Sequence, residues 1–269
     1  MSKSGYYDWK KRVEGPPTAR QLEERNLVAE IEAVHAEFAS YGSPRVHREL
    51  RARQHCVGRH RVARLMHVNG IRARRGKTKS RPRAAPVARR PEVGDLVRRR
   101  FHADAVNTLW CTDATQIRTR EGRLYAVVIL DVYSRRIVSW AVSSHERLET
   151  AIEALDSAIA ARRPRPGLIM HSDRGYQFTS WDWLGRLDKA GLRPSIGHVG
   201  SALDNALMES WFSSFKNEAI HPYPLPATRA DARQTLFRHI DFHNRRRRHS
   251  ALGYIAPVTF EQTTNNPSA

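Results

Sequence analysis

A basic, proline-containing stretch divides this 269-residue chain into two parts with different hydrophobic periodicity. Between Lys77 and Pro91 the chain carries Pro82 and Pro86 and no apolar periodicity, which is typical of an extended linker. Before the linker, apolar residues recur every three or four positions, as in helices; after it they recur at every second position, as in strands. The pattern predicts a small helical domain followed by a larger domain built on a sheet.

Three helices are predicted before the linker, at about residues 21–40, 43–54 and 59–69. Ser43 is the expected N-cap of the second helix, with Pro44 at its first position, and Gly70 is the expected end of the third. Two short helices around a tight turn predict a helix-turn-helix, whose third helix would present Arg59, Arg61 and Arg64 to DNA. The alternative is a three-helix bundle with a merely basic surface.

The second part of the chain alternates between strand and helix patterns. Strands are predicted at residues 108–117, 124–132, 136–142, 168–171 and 192–196, and helices at 148–161, 180–190 and 204–218. Three successive strands form a meander, and the later strands are separated by helices. The order predicts an α/β domain with a mixed sheet and helices on both faces.

The charge of the chain points to a polyanionic partner. Its 46 Lys and Arg against 27 Asp and Glu give a formal net charge of +19. Fifteen of the basic residues lie between Arg59 and Arg100, against only Glu92 and Asp95. A charge run is often only solvated surface, but one that follows a helical motif favours contact with phosphates. A membrane surface is the rival polyanion, and the lack of an amphipathic helix pairing these arginines with an apolar face argues against it.

Several other classes of protein are excluded by composition. Cys56 and Cys111 are the only cysteines and no Cys-x-x-Cys occurs, so neither a disulfide framework nor a cysteine-rich zinc site is expected, and we predict no zinc. The longest apolar run, Leu124 to Leu130, is far shorter than the roughly 20 residues of a membrane-spanning helix. Residues 1–11 show no secretory signal, so a cytoplasmic protein without membrane contact is expected.

Three acidic residues are candidates for metal chemistry. Asp113 lies among apolar residues of the first strand, Asp173 directly follows a buried strand, and Glu209 lies on the last helix of the sheet domain. Carboxylate oxygens suit Mg²⁺, and two such ions can clamp a phosphodiester. Each acid alone also has an ordinary structural explanation, as do Asp131, interpreted as a hairpin residue, and Asp204, interpreted as a helix cap.

The sequence motifs around these acids resemble those of a known family. The three acids, with 35 residues between the last two, resemble the D,D(35)E core of retroviral-integrase-type transposases. Longer motifs resemble the second-reading-frame (OrfB-like) product of bacterial insertion sequences of the IS-three group. These motifs are Ser4-Gly-Tyr-Tyr7, Tyr41-Gly-Ser-Pro-Arg45, Arg61-Val-Ala-Arg-Leu-Met66, Trp110-x-x-Asp113-x-Thr115, His171-Ser-Asp-Arg-Gly175, Asp204-Asn-Ala-x-x-Glu209-x6-Lys216 and Asn244-Arg-Arg-Arg-Arg-His-Ser-Ala-Leu252.

The resemblance implies a ribonuclease-H-like, five-stranded catalytic core preceded by a small all-α helix-turn-helix-like domain. It implies that Asp113, Asp173 and Glu209 are the catalytic and metal-binding residues, with two Mg²⁺ ions for which Mn²⁺ can substitute. It implies 3′-end cleavage at the terminal inverted repeats of the element and strand transfer into target DNA, with Lys216 touching the element end. A homo-oligomer on DNA, and fusion with or partnership of an upstream-frame product, are further expectations.

The combined interpretation divides the chain into four segments. These are a helix-turn-helix-like domain (1–73), a basic linker (74–100), an integrase-type core (101–222) and a basic helical extension (223–269). DNA contacts are expected from Lys216, Asn205, Arg59, Arg61, Arg64, Arg74, Arg75, Arg245, Arg246 and Arg247. The rival functions are a non-catalytic sequence-specific DNA-binding regulator and a structure-selective, Mg²⁺-dependent nuclease.

Overall fold

A computed structural model describes residues 15–74, 76, 93–197 and 205–265, together with positions 3, 4, 6, 7 and 10. The chain divides into two compact units, residues 1–74 and 75–269. The predicted linker stretch 77–91 lies outside the described residues, as do Arg75 and Asp204. In the part that is described, no helix has the length and apolar character needed to cross a membrane.

Within residues 15–74, the first unit has three helices, α1 (Ala19–Glu37), α2 (Ser43–Ala52) and α3 (Arg59–Val68), as predicted. Their apolar faces form a small core of their own, which includes Ile31, Val34, Val46, Leu50, Val62 and Leu65. The expected N-cap at Ser43 was wrong by one residue, because Gly42 is the N-cap and no side chain caps the helix. Gly70 ends the third helix with φ of +67°, a conformation that favours glycine.

The second unit is built on a five-stranded sheet in the order β3-β2-β1-β4-β5. Its strands are β1 (Leu109–Thr119), β2 (Gly122–Asp131), β3 (Ile137–Ser143), β4 (Ile169–Ser172) and β5 (Arg193–Ile196). The first three form an antiparallel meander, while β4 pairs in parallel with both β1 and β5. The predicted mixed sheet is therefore confirmed.

Helices cover both faces of this sheet. α4 (Leu148–Arg162) and α5 (Trp181–Lys189) lie on one face, and α6 (Ala206–Phe215) and α7 (Arg229–Arg245) lie on the other. The last helix, α8 (Pro257–Asn265), packs on α7. Along β1, Trp110 packs into a core with α4 and α5, while Cys111 and Ile117 pack on the opposite face with α6 and α7. The predicted helix 204–218 ends earlier, because α6 stops at Phe215 and the chain continues as a π-helical turn, Lys216–Ile220.

Asp131 is a structural residue of the β2–β3 hairpin, as predicted. Its Oδ1 accepts hydrogen bonds from the backbone N–H and the hydroxyl of Ser134. Its Oδ2 accepts from the N–H of Asn107 and from Nε1 of Trp110. Four donors satisfy this fully buried carboxylate, so it holds the turn together and takes no part in the site.

Candidate active site

The pairing of β1 with β4 places two of the predicted acids next to each other on adjacent strands of the sheet. The two strands run parallel, and Thr112 lies opposite Ser172. Asp113 and Asp173 are therefore the next residues on neighbouring strands, whose backbones lie about 4.8 Å apart in a sheet. The carboxyl ends of parallel strands are where open α/β sheets place their ligands.

The two aspartates differ in how their surroundings hold them. Asp113 lies on the face of β1 that also carries Cys111 and Ile117, it is half-buried, and its Oδ1 accepts from the N–H of Ala114 at 2.7 Å. Asp173 is exposed beyond the end of β4, and its Oδ1 accepts from the N–H of Gly175 at 2.8 Å.

Gly175 leaves room for the carboxylate of Asp173. A Cβ atom added at this glycine would lie 2.9 Å from Oδ1 of Asp173 and 3.2 Å from the ring of Phe178. Any larger residue would therefore displace either the carboxylate or the ring that anchors the loop.

Asn205 attaches α6, the helix that carries Glu209, to β1. This residue is the N-cap of α6, and its Nδ2 donates to the carbonyl oxygen of Thr112 at 3.1 Å. Asn205 is buried and its amide nitrogen is bonded to β1, and its contact with DNA remains a prediction. Its role is to hold the first turn of α6 against the residue that precedes Asp113.

Glu209 follows one helical turn after this anchor. Burial raises the pKa of its carboxyl group, and the negative charge of Asp173 raises that pKa further. The two acids are thus close enough to repel each other electrostatically. Carboxylate oxygens, as in Asp113, Asp173 and Glu209, are the donors that hard divalent cations prefer.

Lys216 is half-buried and begins the π-helical turn that follows α6. It lies seven residues after Glu209 on a continuous run of helical backbone. Its contact with element-end DNA remains a prediction.

The C-terminal arginines have different surroundings. Arg245 is exposed and pairs with Asp241 one turn earlier, and Arg246 is also exposed. Arg247, in contrast, is buried and makes two hydrogen bonds to the carboxylate of Glu218. The guanidinium of Arg247 is thus already bonded inside the protein, and its contact with DNA remains a prediction.

The arginines of the helical unit lie at its surface. Arg59 and Arg74 are exposed. Arg61 pairs with Glu23 and Arg64 pairs with Glu24, both on α1, with these side chains remaining substantially exposed. DNA contact by these four residues remains a prediction, and phosphate would have to compete with the two glutamates for Arg61 and Arg64.

The residues that pack behind Glu209 were missed by sequence reasoning. His243 and Glu218 are buried against the α6 region, and Trp211 bonds to His243. Both residues lie on helical segments, and their positions there follow the ordinary spacing of a helix. The local sequence therefore did not indicate that these polar side chains would be buried and bonded to each other's neighbours.

Comparison with protein families matches both units. Residues 21–79 match an HTH-like domain, and residues 103–202 and 190–257 match two models of an integrase core domain. The transposase of insertion sequence element IS904 from Lactococcus lactis is 36% identical over 250 residues, covering 91% of this chain and 97% of that protein. Transposase InsF of insertion sequence IS3A from Escherichia coli K12 is 33% identical over 266 residues, covering 97% and 90%. The chain belongs to the family of bacterial insertion-sequence transposases.

A solved structure agrees with this assignment at the level of the fold. A chain of the simian T-cell lymphotropic virus intasome, solved in complex with PP2A regulatory subunit B56 gamma, matches with a TM-score of 0.50 and 15% identity. The match covers 86% of the transposase and 74% of that chain. The transposase is a DDE-type polynucleotidyl transferase that acts in DNA transposition, and its integrase-type core implies a divalent metal ion. The rival interpretations as a regulator or a plain nuclease are not favoured.

Proposed function

We propose that Asp113, Asp173 and Glu209 bind two Mg²⁺ ions, which Mn²⁺ can replace, and catalyse 3′-end cleavage and strand transfer of an insertion sequence. The main support is the parallel register of β1 and β4, because Asp113 and Asp173 each follow directly after the last paired residues, Thr112 and Ser172. The negative charge of Asp173 contributes to the raised pKa of Glu209, which supports including Glu209 as the third acid.

The three acids contribute unequally to this site. When bound, the two ions would activate the attacking water or 3′-hydroxyl and stabilise the leaving oxygen. Asp113 lies within a central strand, Asp173 lies just beyond the end of β4, and Glu209 lies at an exposed position of α6. Among the described residues no group of three or more His, Cys, Asp or Glu side chains is close enough to hold a metal ion together. We infer that Glu209 completes the site as cations and DNA bind.

The remaining segments have roles in holding DNA. The helical domain (1–73) binds the terminal inverted repeats, the basic linker (74–100) contacts phosphates, and the core (101–222) engages the element end through Lys216. The extension (223–269) supports the core, and Arg245 and Arg246 contact phosphates. The protein acts as a homo-oligomer on DNA, joined to or partnered by an upstream-frame product, on the nucleoid in the bacterial cytoplasm.

The test is a strand-joining assay with labelled element ends, target DNA and Mg²⁺. Asp113→Asn, Asp173→Asn and Glu209→Gln should each abolish cleavage and joining, while DNA binding at fixed salt stays intact. Asp188→Asn, an exposed acid on α5, is the matched control and should keep full activity.

Each rival function has its own outcome in this assay. Cleavage without any joined product would favour the nuclease. Activity that survives loss of the three carboxylates would reject the proposed catalytic site, and DNA binding without any cleavage would favour the regulator.

A further inference from the structure

Residues at the end of α7 and just after it contact α6, which carries Glu209, and the π-helical turn that follows α6. They lie on the face of the sheet opposite α4 and α5, where α6 also packs. We call His243, Asn244 and Arg247 the C-terminal clamp. Each of the three makes side-chain hydrogen bonds to a different part of the core.

His243 links α6 to the β2–β3 turn. The Nε1–H of Trp211 donates to Nδ1 of His243 at 3.1 Å, so the ring proton of His243 lies on Nε2. That Nε2–H donates to the carbonyl oxygen of Arg135 at 2.8 Å. Burial lowers the pKa of His243 to about 3, which keeps the ring in the neutral form that this arrangement requires.

Asn244 bonds to the edge strand of the sheet. Its Oδ1 accepts from the N–H of Ile137 and its Nδ2 donates to the carbonyl oxygen of the same residue, both at 2.9 Å. The amide side chain thus makes the pair of bonds that a neighbouring strand would make. This contact fixes the end of α7 relative to β3.

Arg247 holds the turn that follows α6. Its Nε and Nη2 donate to the two oxygens of Glu218 at 3.1 and 2.7 Å. The side chains are only 7% and 6% exposed, so water does not compete for either charge. A planar, two-bond ion pair of this kind also fixes the orientation of both groups.

These contacts place Glu209 between two anchors. Asn205 holds the beginning of α6 to Thr112 of β1, and the clamp holds Trp211 and Glu218 beyond Glu209. We propose that His243, Asn244 and Arg247 are positioning residues that hold α6 so that Glu209 can reach the metal site. This inference rests on the proposed catalytic role of Glu209. None of the three residues needs to touch DNA or metal.

The experiment compares a matched control with two conservative variants that each weaken one contact of the clamp, called the clamp variants. Trp211→Phe removes the N–H donor to His243, and Arg247→Lys keeps the charge but not the two-bond geometry. Trp183→Phe is the control, because Trp183 is equally buried but packs on the other face of the sheet with α5. Amide hydrogen exchange of residues 206–215 and the Mg²⁺-induced rise in melting temperature are measured on the full chain.

Both clamp variants should exchange the α6 amides faster than the wild type and show a smaller Mg²⁺-induced rise in melting temperature. The half-saturating Mg²⁺ concentration for strand joining should increase on the order of ten-fold, as expected for loss of a partner that orients a metal ligand, with DNA affinity unchanged. Trp183→Phe should leave α6 exchange at the wild-type rate.

Two outcomes separate this inference from the proposed function. If Glu209→Gln abolishes joining but the clamp variants match the wild type or Trp183→Phe in α6 exchange and Mg²⁺ response, the positioning role is wrong and the catalytic site stands. If Glu209→Gln still joins strands, the proposed site is wrong, and the positioning role fails with it even where α6 exchange changes.

Discussion

Arginine–glutamate pairs occur in both units of the transposase, and their burial differs sharply. In the helical unit, Arg61 and Glu23 have side chains that are 32% and 65% exposed, at an N–O distance of 2.8 Å. In the catalytic unit, Arg247 and Glu218 make a pair of nearly the same length, 2.7 Å, with almost no exposure. Distance is therefore a poor guide to what an ion pair does.

The difference lies in what can replace the partner. Water and phosphate reach Arg61, so its glutamate can be exchanged for DNA at little cost. Solvent has almost no access to Arg247. Removing Glu218 would therefore leave a buried charge without a partner. We infer that the exposed pairs tune DNA binding, whereas the buried pair maintains the structure of the catalytic unit.

Removing the charge of Arg247 should have the largest effect. Arg247→Met leaves the buried Glu218 carboxylate unpaired, and we expect a loss of about 3–5 kcal/mol in the free energy of unfolding. Urea denaturation of the full chain measures this. Arg61→Met is the counterpart, and because its pair is exposed the loss should be below about 1 kcal/mol. Equal losses in the two variants would contradict the distinction by burial.

The second-largest effect is expected from low pH, which should destabilise the region around Arg247 and Glu218. Burial, and secondarily the charge of Arg247, lower the pKa of His239 to about 3, and burial lowers that of His243 to about 3, against an ordinary value of 6.5. Between pH 6.5 and pH 3 the unfolded chain therefore binds more protons, so stability is complete above pH 6.5 and falls as the pH falls. The expected slope is about 1.4 kcal/mol per pH unit for each histidine.

His239 provides the control for this pH dependence. Its Nε2 is buried and has no hydrogen-bond partner within the described residues, so His239→Phe removes an unsatisfied polar atom. We expect this variant to unfold in urea at pH 7 no more easily than the wild type, and to lose part of the acid dependence. An unchanged slope between pH 6.5 and pH 4 would rule out a contribution from His239.

The smallest effect is expected at the exposed pairs. Glu24→Gln removes the acid that competes with phosphate for Arg64, so DNA affinity should increase up to about five-fold, roughly 1 kcal/mol. Glu32→Gln, which removes an exposed acid from the same helix, makes the same change in net charge and is the control. Binding to a duplex at several salt concentrations measures both, and equal gains would indicate a general charge effect.

The sequence could predict the elements whose signals are periodic. Ile31 and Val34 follow helical spacing, and Cys111 and Ile117 follow strand alternation, so burial of each was readable locally. Asp113 was expected within a strand and Asp173 just after one, but the parallel pairing that makes them neighbours is seen only in the structure.

Polar residues whose partners are distant in sequence could not be predicted in this way. Arg247 stands in a run of four arginines, and only the position of Glu218, 29 residues earlier, determines that this one is buried. Asn205 bonds to Thr112, 93 residues away, and nothing near it in the sequence shows that its amide faces a strand. Such choices depend on tertiary packing, which hydrophobic periodicity does not encode.

The clamp residues come after α6 in the sequence, and this order matters for copies of the element that carry truncating mutations. A stop codon between residues 222 and 243 would leave all three carboxylates in the product but remove His243, Asn244 and Arg247. The truncated catalytic unit would expose Trp211 and Phe215, while the helical unit would keep its own core. We expect such products to occupy element ends without cutting them, so that worn-out copies restrain the mobility of intact ones.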